Sequence, residues 1–174
     1  MPKKTLKRLF PSPKSIQEHK SLKFLGPLLH EPNLWHLNRR SVSRAFLVGI
    51  FFAFMPMPFQ MVAAALVGIM IHSNLPISIG LVWISNPITI PPIFYFTYKV
   101  GTVILDTPIR EFEIELSLDW ALTELGAIWQ PLILGSLLCG IIFALMGYIG
   151  IRLFWRYHVA NNWHKRKLKR EANH

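Results

Sequence analysis

Residues 45–98, AFLVGIFFAFMPMPFQMVAAALVGIMIHSNLPISIGLVWISNPITIPPIFYFTY, hold no Asp, Glu, Lys or Arg in 54 positions, and proline clusters interrupt them twice, at FMPMPFQ and ISNPITIPP. An uncharged run of that length is long enough to enter a bilayer more than once. Prolines inside it remove backbone donors at a depth where no water replaces them, costing several kcal/mol per unsatisfied group unless protein supplies the partner. The run therefore predicts an integral membrane protein whose helices are broken and packed around an interior, which a plain anchor does not need.

A second apolar block, residues 127–151, has 25 uncharged positions, enough to cross a hydrocarbon core of about 30 Å at about 1.5 Å per residue. Its twelve Leu, Ile and Phe residues favour insertion by about 4 to 7 kcal/mol. The single cysteine, Cys139, lies inside this block, which excludes an intramolecular disulfide and leaves no metal-ligand spacing. No cofactor is expected. The first 44 residues are polar and basic, with no short n-region and cleavage site, so internal segments are expected to direct insertion.

The net charge of +10 is unevenly spread. Residues 1–44 carry ten basic and two acidic side chains, residues 152–174 carry seven and one, and residues 106–124 reverse the balance with six carboxylates and Arg110 alone. Basic flanks stay on the cytoplasmic side, which places both termini in the cytoplasm and the acidic connector in the periplasm. Basic ends beside membrane spans fit anionic headgroups better than nucleic acid. The expected partners are membrane lipids, a second copy of the chain or another membrane protein, with no nucleic acid.

The expected fold class is an all-α membrane protein, a helical bundle with proline-broken, re-entrant helices and an amphipathic periplasmic connector helix. Residues 1–33 read as a basic, weakly structured cytoplasmic N-terminus, with a short capped helix from Ser15 and Glu18. The membrane domain is residues 34–151. Within it, residues 34–44 form an interfacial helix capped by Asn33, and residues 45–105 are broken and re-entrant. Residues 106–126 are the connector, whose helix stops at Gly126, and residues 127–151 are a transmembrane helix opened by Gln130 and Pro131. Residues 152–174 form a basic cytoplasmic tail.

Two arrangements of residues 45–105 satisfy the charge map. In the first, the chain enters, turns at MPMP, returns near His72, Ser73 and Asn74, and crosses outward with a break at Asn86 and Pro87. In the second, residues 45–71 are one kinked span and SNPITIPP is a re-entrant loop from outside.

The candidate ligand-binding residues follow from the breaks: Pro56, Pro58, Gln60, Asn74, Asn86, Pro87, Thr89 and Lys99. Paired, interrupted apolar segments aim backbone dipoles at a midplane site, and Gln60, Asn86 and Thr89 can complete it. Equally, these amides and hydroxyls can serve only to satisfy backbone groups that the prolines free. Lys99, the only charge in residues 45–105, is six residues from Leu105 and within reach of the outer interface. Small residues at helical spacing, Ala45, Gly49 and Ala53, Ala64 and Gly68, then Ser136, Gly140 and Ala144, predict close helix packing.

No nucleophile with a base, phosphate-binding glycine loop or metal-ligand spacing is present, and no enzymatic activity is expected. Two functions remain: an inner-membrane protein that binds or moves a lipid or small solute at the paired breaks, or a membrane scaffold or assembly factor.

The segment from Leu34 to Leu105 closely resembles the bacterial membrane family named domain of unknown function 2062. The resemblance rests on Gly49, the MPMPFQ turn of Met55 to Gln60, Asn74-Leu75-Pro76, the SNP of Ser85 to Pro87, and Pro91 and Pro92; it reaches Ile151 more weakly. It implies a multi-pass protein of a Gram-negative inner membrane and imports no activity.

Overall fold

The computed structural model describes residue 34, residues 37–108 and residues 118–171, with side chains of the last helix described at 126 and 128–159. Among the described residues there are five α-helices and no strand: α1 (Arg39–Phe54), α2 (Gln60–Met70), α3 (Leu75–Val82), α4 (Ile90–Leu105) and α5 (Leu118–Glu171). The all-helical expectation holds. The helix from Ser15 and the cap at Asn33 lie outside the described residues, as does most of the connector.

Three boundaries differ from the sequence reading. The Ser41 N–H donates to Asn38 Oδ1 (2.7 Å) and the Asn38 N–H donates back to Ser41 Oγ (3.3 Å). This reciprocal cap starts α1 at Arg39. No proline follows before Met55, so the hydrogen-bond ladder runs past residue 44, the expected end of the interfacial helix, to Phe54. Likewise Gly126 does not end a helix, because α5 runs through it with no glycine at positive φ. A helix-interior glycine costs only about 1 kcal/mol, far less than a terminating left-handed residue would require the chain to give up in ladder bonds. The tail expected after residue 151 continues the same helix to Glu171.

α1 and α2 fold into a hairpin. α1 ends at Met55, the chain turns through Pro56 to Phe59, and α2 returns to the start of α1, where Arg44 Nη1 donates to the Ile71 carbonyl (2.8 Å) and the Asn74 N–H donates to the Ser41 carbonyl (3.0 Å). That contact excludes one kinked span over residues 45–71.

The turn at 71–74 is tightly stitched. Ser73 Oγ donates to the Gly68 carbonyl (3.1 Å) and pairs with Ser78 Oγ (2.9 Å), Ser78 Oγ donates to the Asn74 carbonyl (3.1 Å), and Asn74 Oδ1 caps α3 at the Ile77 N–H (3.2 Å), all buried. Asn74→Ala is expected to lower stability by about 1–2 kcal/mol, because it deletes a helix cap and strands a buried N–H. Unfolding of purified protein in detergent checks this, and a transition at the wild-type position would refute it.

α1 and α4 pack on α5, while α2 and α3 pack on α1 and on each other. α1 runs antiparallel to α5: Trp155 and Ile151 flank the Val42, Ala45 and Ile77 cluster, Phe46 and Ile50 face Gly147, and Phe51 and Phe54 face Gly140, with Phe54 stacked on Phe143 at 5.1 Å. α4 packs antiparallel on the other half, Thr97 beside Gly135 and Gly101 beside Pro131. Ser136 Oγ donates to Thr97 Oγ1 across this crossing (3.1 Å), both side chains fully buried. Pro131 lies inside α5, and its backbone is the surface that Gly101 approaches.

Depth along α5 follows from these pairings. The α1–α2 turn stands at Gly140, twelve residues from Ile128 and twelve from Arg152, about 18 Å each way. Among the described residues one segment, Ile128–Val159 (32 residues), is long and apolar enough to cross a membrane, whereas α2 and α4 are apolar but shorter.

Candidate functional site

Both proline breaks meet. The Gln60 side chain, at the first position of α2, donates from Nε2 to the Met55 carbonyl (2.6 Å) and accepts at Oε1 from Ser85 Oγ (3.0 Å). One amide therefore closes the first turn and ties it to the second. Ser85 Oγ also lies 2.9 Å from the Val82 carbonyl, one of the groups left open where α3 ends.

The second break is held from within. Asn86 Oδ1 accepts from the N–H groups of Ile88 (3.0 Å) and Thr89 (3.2 Å), while Thr89 Oγ1 accepts from the Asn86 N–H (2.9 Å) and donates to the Ile84 carbonyl. Asn86 and Thr89 thus satisfy backbone groups left open between the end of α3 and the start of α4, where Pro91 and Pro92 are tolerated because first-turn N–H groups have no helical acceptor. Among the described residues no buried side-chain nitrogen or oxygen lacks a hydrogen-bond partner.

Between the breaks lies a groove of about 480 Å³, lined by the apolar Met57, Phe59, Met61, Val62, Val82, Trp83, Pro87 and Ile90 and by the polar Gln60, Ser85 and Asn86. Phe59 adopts a left-handed backbone (φ 60°, ψ 30°), which a bulky residue rarely takes. It leaves the ring 76% exposed at the groove edge, and Ile88, on the second break, is 85% exposed.

Of the residues singled out from sequence, Gln60, Asn86 and Pro87 line the groove, and Thr89 braces it from one step behind. Pro56 and Pro58 shape the first turn without lining it. Asn74 does not belong with them: it sits at the opposite end of α3, eight residues long, capping that helix. Lys99 is also elsewhere, exposed on α4 with Nζ 4.6 Å from the Tyr95 ring centroid. It turns one helical turn back from the end of α4, because side chains leave a helix tilted toward its N-terminus and an aromatic face attracts the ammonium there.

Sequence reasoning missed Ser85, Trp83, Met57 and Phe59. Ser85 opens the SNP motif and Phe59 ends the MPMPF turn, so both were visible as parts of breaks. The meeting of Gln60 with Ser85 across 25 residues was not.

No curated protein and no solved structure matches the chain. One family model does match, over residues 22–164, and on that match the chain belongs to the bacterial family described as "Uncharacterized protein conserved in bacteria (DUF2062)".

Proposed function

We propose that this is a multi-pass protein of a bacterial inner membrane that binds, and moves, a lipid acyl chain at its paired breaks. In this reading α1–α2 is a hairpin entering from the cytoplasm and turning at mid-depth. α3 and α4 make one crossing broken at that depth, α5 makes the other, the termini are cytoplasmic and the acidic connector is periplasmic. The position of the α1–α2 turn halfway along the uncharged residues 127–151 of α5 supports this, as does the pairing of basic ends with an acidic connector.

The observation that carries the choice of ligand is the use of the polar groups. Gln60 spends both ends of its amide on Met55 and Ser85, and Asn86 and Thr89 serve the second break. The walls left for a ligand are apolar, which suits a hydrocarbon chain and gives a polar solute little to bond. No catalytic step is assigned to the site.

A protein with Trp83 as its single tryptophan, in bilayers of brominated phospholipid, tests the placement. Bromine near the acyl-chain end is expected to quench Trp83 more than bromine near the headgroup, and the reverse order sinks the mid-depth groove. A fluorescent phospholipid in liposomes is expected to change leaflet faster with the protein than without. Protein-free rates, unaffected by Gln60→Ala or Asn86→Ala, would favour the scaffold reading.

A further inference from the structure

The packing of α1 on α5 has an electrostatic consequence. Because Val42, Ala45 and Ile77 share one buried cluster with Ile151 and Trp155, the start of α1 and residues 151–155 of α5 stand at one level. Arg39, Arg40 and Arg44 are thereby gathered with Arg152 and Arg156, all five exposed, from segments more than a hundred residues apart.

Two of the guanidiniums are already oriented. Arg44 is held on the Ile71 carbonyl, and Arg152 Nη1 donates to Tyr148 Oη (2.6 Å) with its guanidinium 5.3 Å from that ring centroid. One such bond leaves most of a five-donor fork unused. Among the described side chains the only carboxylate is Asp106, at the C-terminus of α4, which runs toward the other end of α5. Five like charges at one level, with no described carboxylate beside them, repel one another unless anions come from outside the fold.

We infer that this end of the bundle is a collar for anionic phospholipid headgroups, binding their phosphodiesters. Arg152 is the first charge after the 25 uncharged residues 127–151, and Tyr148 and Trp155 flank it as amphipathic rings suited to the headgroup level. A guanidinium fork matches phosphate oxygens in pairs. The inference rests on the membrane placement proposed above but not on the groove.

The test uses the whole chain in phosphatidylcholine bilayers containing spin-labelled phosphatidylglycerol or spin-labelled phosphatidylcholine. Phosphatidylglycerol is expected to associate about fivefold or more in preference, the effect of one or more near-surface charges. The preference should fall toward unity at about 1 M salt, where screening acts within about 3 Å. It should fall severalfold in Arg39→Gln/Arg40→Gln/Arg156→Gln, whose exposed side chains make no hydrogen bond among the described residues. Equal association of the two lipids with the wild type overturns the collar while leaving the embedding intact. So does a preference that survives both salt and substitution. Competition by soluble glycerol phosphate would reassign the site to a free anion. No immobilised component for either lipid removes the embedding and the collar with it.

Discussion

Gly135→Ala is expected to separate α4 from α5. A methyl group at residue 135 would fall on the Thr97 carbonyl and crowd the Gly101 backbone nitrogen at 2.8 Å. The obstacle is backbone on the facing helix, so no side-chain rotation relieves it. Overpacking commonly costs 1–3 kcal/mol, and the loss here should reach about 3 kcal/mol or more. Gly101→Ala meets the Pro131 backbone in the same way. By comparison, Ser136→Ala, which deletes the hydrogen bond at this crossing, should cost about 0.6 kcal/mol, the usual worth of such a bond in lipid. Steric exclusion therefore dominates the joint. Gly150→Ala, with open space around its position, is the control and should be neutral or stabilise by up to about 1 kcal/mol through helix propensity. Unfolding in mixed micelles orders the four variants. Gly135→Ala unfolding with the wild type would show that the helices do not cross here.

The second large effect is expected at Gln60. Gln60→Leu fills similar space but removes one of the two donors to the Met55 carbonyl, leaving the Met57 N–H (2.9 Å), and deletes the link to Ser85. Losing two hydrogen bonds between half-buried groups should cost about 1–3 kcal/mol. Ser85→Ala, which strands Gln60 Oε1 alone, should cost about 1 kcal/mol. If the amide joins the two breaks, the double variant will lose less than the sum of the singles, with a coupling of at least about 0.5 kcal/mol. The same Gln60→Leu change should weaken the depth preference of Trp83 quenching, because the two walls of the groove are no longer held together. Strict additivity, with an unchanged quenching profile, would mean that the two breaks are independent turns.

The roles of Gln60, Asn86 and Thr89 illustrate how far the residues alone could be taken. Sequence offered two uses for them, completing a ligand site or repairing backbone, and the hydrogen bonds show repair. That outcome sharpens the reading of the groove, whose polar lining groups Gln60, Ser85 and Asn86 already hold partners within the protein. Asn74 and Lys99 were grouped with the site because they flank or occupy the same uncharged run, but linear proximity in a folded-back chain carries no distance information. Asn74 is separated from the groove by the length of α3.

What the sequence determined by itself was the helical class, the three interruptions at MPMP, HSN and SNP, and the segregation of charge. Each is local: proline removes an amide wherever it sits, and charge stays out of hydrocarbon whatever its neighbours. Where helices began and ended was less legible. The Asn38 cap opens a helix that runs on past residue 44, and Gly126 joined a helix that it was free to end. Only the tertiary structure decided that residues 45–71 fold back as a hairpin, that the two breaks share one hydrogen bond, and that arginines from both ends of the chain meet at one level. These depend on α1 and α4 packing on opposite halves of α5, at glycines where backbones touch. Such contacts are set by shape complementarity between residues far apart in the chain, which periodicity along one strand of sequence does not encode.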